Sequence, residues 1–139
     1  MPIHSTRIEI TTNGFSDVHD LTSQAKEFLD ACNVGDGLMT VFVPGSTASI
    51  TTIEFEFGAI ADLKRAIERL APQDIYYDHN VRWGDDNGFS HVRAAMLGPS
   101  VCVPISKGQL QLGTWQQIVL VDFDNRQRQR EIIFQIVGE

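Results

Sequence analysis

The chain predicts an α+β fold: one compact domain with a largely antiparallel sheet packed with two main helices. Three observations carry that reading. Two segments repeat apolar residues every three or four positions, as amphipathic helices do. Most other apolar segments are short, β-rich runs joined by turns too brief for the crossovers of a parallel sheet. No linker, internal repeat or low-complexity tract divides residues 1–139, so all of them form a single domain.

The elements follow in order. Ser5 to Thr12 alternates polar and apolar residues, with Ile8 and Ile10 as β-formers, and reads as a strand closed by the turn Asn13-Gly14. A helix starts near Asp20 or Thr22, either of which can cap it. Leu21, Ala25, Phe28, Leu29 and Cys32 share its apolar face, and Gly35-Asp36-Gly37 stops it. Leu38 to Val43 is a continuous apolar run typical of a buried strand, and Ser46 to Ile53 supplies the next. Phe57, Ile60, Leu63, Ile67 and Leu70 mark the second helix, which Pro72 closes. His91 to Leu97 forms a short helix with Ser90 as a cap, ended by Gly98-Pro99. Strands then run over Ser100 to Ile105, Gln116 to Phe123 and about Arg130 to Val137.

Composition narrows the class of function. With 42% hydrophobic and 21% charged residues, 139 residues make an ordinary globular domain able to bury a core without disulfides. No apolar run is long enough to cross a bilayer, and the N-terminus lacks a basic segment followed by an apolar one, so we expect a cytoplasmic protein. Cys32 and Cys102 form no Cys-x-x-Cys pair and read as inert side chains in or near the core. A net charge of −7 argues against nucleic-acid binding, which depends on neutralising phosphates. Arg126, Arg128 and Arg130 alternate and would share one face of a strand. That face is either solvated or anion-binding.

Chemistry concentrates between Tyr76 and His91. This stretch holds two of the four histidines, His79 and His91, with Asp78, Asp85 and Asp86 beside or between them. It has neither strand nor helix period and is interrupted by Gly84 and Gly88, so it reads as a polar loop rather than a core element. Imidazoles and carboxylates close together bind a divalent metal or move a proton near neutral pH. Gly45-Ser46-Thr47 follows a buried strand, so its N–H groups and hydroxyls could cradle an anion, although no P-loop lysine follows. Glu54, just before the second helix, is either a base or ligand or a favourable acidic residue at a helix start. Farther on, Lys107 to Gln116 offers Gly108 and Gly113 for tight turns, Trp115 for stacking and Gln116 for hydrogen bonds.

Taken in order, these segments resemble the YjbQ-like family, to which the name secondary thiamine-phosphate synthase is attached. The similarity runs from Ser5 to Glu139. Its carriers are Gly45-Ser-Thr-Ala-Ser with Glu54, Tyr76 to His91, Met96-Leu-Gly-Pro-Ser, Val103-Pro-Ile, the Leu112-Gly-Thr-Trp-Gln segment and the final Val137-Gly-Glu. The resemblance implies a homotrimer and a histidine-containing pocket near subunit contacts. It places His79, Asn80, Asp86 and His91 in the pocket motif, and Trp115, Gln116 and Arg130 in C-terminal motifs. Gly45 stands where family members commonly carry histidine.

From residues and resemblance together, His79, His91 and Asp86 are the expected catalytic side chains. They are also the candidate ligands of a divalent ion, zinc or magnesium, with Glu54, Asp85 or water completing the shell. Ser46, Thr47, Asn80, Trp115, Gln116, Arg128 and Arg130 are the expected substrate-binding residues. The expected function is a weak thiamine-phosphate synthase-type activity on a small phosphorylated molecule, using a His/Asp/Asn polar pocket. A non-catalytic metal- or ligand-binding trimer and a metal-dependent hydrolase are the alternatives.

Overall fold

The computed structural model describes all of residues 1–139. Its strands are β1 (Ile3–Thr12), β2 (Asp17–Asp20), β3 (Gly37–Phe42), β4 (Ala48–Ile53), β5 (Ser100–Ser106), β6 (Gln109–Leu110), β7 (Gln117–Asp122) and β8 (Arg128–Gly138). Its helices are α1 (Thr22–Cys32), α2 (Phe57–Leu70), α3 (Asp78–Trp83) and α4 (Gly88–Leu97). Every strand pairing is antiparallel. One sheet has the order β1-β8-β3-β5-β6 and the other β2-β7-β4.

Sequence pattern explains the layering. In β8, Arg130, Ile132, Phe134 and Ile136 alternate inward, while the residues between them are half-buried or exposed. That is the signature of a strand with one covered face. In β7, Ile118, Val119, Leu120 and Val121 are all buried. Ile118 and Leu120 join a core with Leu21, Ala25, Leu29, Val41 and Phe134; Val119 and Val121 join a second with Ile67, Ala94 and Phe123. The small sheet therefore lies between the large sheet with α1 and the helices α2 and α4, which is why β7 reads as an unbroken apolar run.

Local chemistry sets the helix ends. Asp20 Oδ1 accepts from Thr22 N–H at 2.9 Å, while Thr22 Oγ1 accepts from Ile118 N–H at 2.9 Å and ties α1 to β7. Asn33 ends α1 with φ +53°, a left-handed value that Asn tolerates better than most residues. Glu56 caps α2 through the N–H groups of Gly58 and Ala59. Arg93, fully buried on α4, donates to Ala71 O at 2.9 Å, pairs with Glu68 and sits over the Phe89 ring. This single side chain joins the end of α2 to α4.

Five features differ from the sequence reading. Short strands β2 and β6 lack an alternating signal long enough to register. Asp78–Trp83 is helical rather than loop, and Gly84 ends it in a left-handed conformation. Gly88 opens α4 instead of breaking a loop, since a Cβ there would lie 2.6 Å from Tyr77 Cβ. Arg126 falls in the turn before β8, so only Arg128 and Arg130 share a strand face. Cys102 is exposed rather than within the core. No helix is long and apolar enough to cross a membrane.

Candidate functional site

The site forms at one end of the two sheets, where β7 ends, β8 begins and the loop before β4 passes beneath α4. Asp122 and Asp124 point inward from the end of β7 and are fully buried. A buried carboxylate is tolerable only with close partners, and each has them. Arg130 Nε and Nη2 meet Asp122 at 2.6 and 2.9 Å, and Thr12 Oγ1 donates to Asp122 Oδ2 at 2.5 Å. Asp124 accepts from Thr47 Oγ1 at 3.0 Å, Asn87 Nδ2 at 3.2 Å and Asn125 N–H at 2.8 Å. Arg128 Nε lies 2.9 Å from Asp124 Oδ2, a charge contact whose alignment leaves this buried N–H without a hydrogen bond.

Burial alone would raise the Asp124 carboxyl. The hydrogen bonds from Asn125, Asn87 and Thr47 and the Arg128 charge outweigh it and hold the group below the usual aspartate value. Asp124 is therefore a fixed anion, and through Asn87 it reaches the histidines. Asn87 Oδ1 lies 3.0 Å from His79 Nε2, and the rings of His79 and His91 are 4.3 Å apart at 51°. Burial, and then the neighbouring His79, push the His91 imidazole below its ordinary value. Two imidazoles this close cannot both be protonated cheaply.

Ser49 Oγ donates to Ala94 O at 3.0 Å, seating α4 on β4 and bringing His91 over the Gly45–Thr47 loop. A cleft of about 290 Å³ opens there, lined by Gly45, Ser46, Ala48, His91, Ala94, Ala95 and Pro99. The N–H groups of Gly45, Ser46 and Thr47 donate to no carbonyl. Arg130 uses Nε and Nη2 internally, while its Nη1 has no protein acceptor and lies 3.1 Å from where a Gly45 Cβ would stand. Gly45 itself has φ +139°. Unpartnered N–H groups beside a guanidinium edge make a surface suited to an anion.

The chain matches, over residues 6–139, the family model described as UPF0047 protein YjbQ-like. A UPF0047 protein of Methanothermobacter thermautotrophicus is 32% identical over 139 residues, covering 100% of this chain and 95% of that one. One from Mycobacterium tuberculosis (strain CDC 1551 / Oshkosh) is 42% identical over 113 residues, 81% of this chain and 85% of the relative. The crystal structure of a YbjQ-like protein of unknown function from Sulfolobus solfataricus P2 superposes with a TM-score of 0.94 at 30% identity, covering 99% of each chain. A hypothetical protein from Aeropyrum pernix K1 gives 0.91 at 29%, covering 98% of this chain and 99% of that one. The chain belongs to the YjbQ-like family.

Of the residues that the sequence singled out in this YjbQ-like chain, His79, His91, Ser46, Thr47, Arg128 and Arg130 come together. The others do not. Asp86 is exposed and bonds to neither histidine; its neighbour Asp85 lies 3.4 Å from His79 Nε2 instead. The turn before α4 forces Asp86 to φ +57°. Asn80 is engaged structurally, its Oδ1 accepting from Gly88 N–H at 2.8 Å to join α3 to α4. Gln116 donates to Thr52 at 3.1 Å, and Trp115 is exposed beside it. Thr52 lies five positions along the chain from Thr47, roughly 16 Å of extended β4, so this pair and Glu54 lie at the far end of the strand. The two imidazoles gain no third ligand: no group of three His, Cys, Asp or Glu side chains is arranged to hold a metal ion. A larger concavity, about 420 Å³, lies between β2 and the start of α2 and is lined mainly by Val18, Phe55, Phe57, Ile60 and Ala61. It lacks the convergent polar groups of the histidine site.

Sequence reasoning missed Asn87, Asp122 and Asp124. Asp122 and Asp124 did carry a signal, two carboxylates in alternation at the end of the most apolar strand, where an acid needs a buried partner.

Proposed function

We propose that this YjbQ-like protein is a cytoplasmic homotrimeric enzyme that acts on a small phosphorylated molecule at the His79–His91 cleft. The observation that carries this reading is the joining of two parts by one carboxylate. Asp124 holds Thr47 and Arg128 beside the free N–H groups of the Gly45 loop, and holds His79 through Asn87. The first part suits a phosphate and the second a proton transfer.

In thiamine-phosphate synthase-type transfer, a ring nitrogen's lone pair forms the new bond to carbon. The carbon–oxygen bond breaks with its electrons on the departing pyrophosphate. No proton must be removed, so the site's task is to neutralise the leaving anion, and the Gly45–Thr47 N–H groups with Arg130 Nη1 suit that task. In phosphate-ester hydrolysis, a neutral imidazole takes a proton from the water that forms the new phosphorus–oxygen bond, and the ester phosphorus–oxygen bond breaks as the departing alcohol oxygen takes a proton. The depressed His91 value favours this second reading because it keeps that base unprotonated near neutral pH. A divalent ion bound by the two imidazoles would supply charge neutralisation when present, with water completing its shell.

Phosphate and pyrophosphate release should be measured on purified protein against pyrophosphorylated alcohols and phosphate monoesters, with and without added zinc or magnesium. Turnover that His91→Ala abolishes is the expected result. Binding of phosphorylated compounds without any turnover would leave a non-catalytic ligand-binding trimer as the function.

A further inference from the structure

We propose that Asn87 is a positioning residue that fixes His79 in its Nε2–H tautomer and leaves Nδ1 as the ring's one free lone pair. The deduction starts from Asp124. This buried carboxylate accepts from Thr47 Oγ1 and Asn125 N–H and lies against Arg128, so it is an ionised acceptor with no proton to give. The Asn87 atom 3.2 Å from Asp124 Oδ1 must then be the amide nitrogen, since an amide oxygen there would face a carboxylate oxygen. The amide oxygen consequently faces His79 Nε2 at 3.0 Å, and that contact is a hydrogen bond only if Nε2 carries hydrogen. Asp85 Oδ1 lies 3.4 Å from the same nitrogen, and its negative charge favours the same form.

The consequence is chemical. A substrate proton or a divalent ion that engages His79 must do so at Nδ1, or first break the bond to Asn87. Asn87 is buried at the start of α4 and cannot rotate freely to offer its amide nitrogen instead. The tautomer follows from geometry alone, whereas its use as a base rests on the acid–base reading proposed above. The two can therefore fail separately.

The test is a long-range proton–nitrogen correlation spectrum of the ¹⁵N-labelled full chain under mildly alkaline conditions, with His79 signals assigned by their loss in His79→Gln. The expected result is a pyrrole-type Nε2 bearing a slowly exchanging proton and a pyridine-type Nδ1. In Asn87→Ala, exchange of that proton should accelerate about tenfold, matching the loss of one hydrogen bond. A wild-type His79 protonated at Nδ1, or present as a mixture of tautomers, overturns the proposal, and this measurement needs no variant at the Asn87 position. Unchanged exchange in a folded Asn87→Ala protein overturns it equally. The expected tautomer in a protein that turns over no phosphorylated compound would leave this inference standing and remove only the enzymatic reading.

Discussion

Arg130 and Thr47, 83 residues apart in the chain, meet at 2.6 Å, with the guanidinium Nη2 donating to the threonine hydroxyl. The hydroxyl in turn donates to Asp124, so a strand start, a loop and a strand end close around one polar core. Arg130→Ala would strand Asp122 without its main partner. Urea unfolding should show a loss of about 3–5 kcal/mol, the cost of a buried charge left unpaired. A loss below about 1 kcal/mol would mean that Asp122 is solvated in solution.

The histidines should behave differently. His79 and His91 are only partly buried; His91 lines the cleft and the His79 ring lies 4.3 Å from it, outside the core. His79→Ala and His91→Ala should each keep the fold and lose no more than about 1 kcal/mol in the same assay, far below a core truncation. Losses of several kcal/mol would reassign them as structural residues.

The His91 imidazole should titrate below 6.5, its ordinary value, because burial and His79 both oppose its charge. His79→Ala should raise it only part of the way back, since burial is the larger cause and remains. In the linkage, the unfolded chain takes up this proton as pH falls through about 6.5 while the folded chain does not. Stability from this group is thus full above that pH and falls below it. Asp124, also depressed, extends the loss to more acid conditions, below its ordinary 3.8. Denaturant midpoints against pH, with and without His91, check both signs.

Much of the fold was legible because its strongest patterns are local. The α2 stripe from Phe57 to Leu70 and the unbroken apolar run of β7 each state an element in their own residues. The site was only half legible. His79 and His91 stood out by type, but α3 was hidden within a polar stretch whose glycines resembled breaks. Asp86 rests on the family resemblance, which does not tell which of two adjacent carboxylates lies nearer His79; that one is Asp85, at 3.4 Å. Trp115 and Gln116 enter the expected substrate site through the family resemblance and their side-chain chemistry, whereas the length of β4 holds them away from it within one subunit.

That separation bears on assembly. Phe57 is 90% exposed, Trp115 72% and Leu70 65%, large apolar side chains that a partner subunit could cover. The strand β1 also leaves a ten-residue sheet edge. Light scattering at micromolar concentration should report three times the 15.5 kDa chain mass. A monomer there would remove the homotrimer and leave these side chains without a covering partner.

The most direct measurement of what the cleft is built to hold is a calorimetric titration of metal-free protein with pyrophosphate and, separately, with zinc. The free N–H groups of Gly45 to Thr47 and Arg130 Nη1 await an anion, while two imidazoles lacking a third protein ligand make a weak zinc site. One pyrophosphate per chain, bound more tightly than zinc, is the expected result. Tight stoichiometric zinc binding with no detectable heat from pyrophosphate would contradict it.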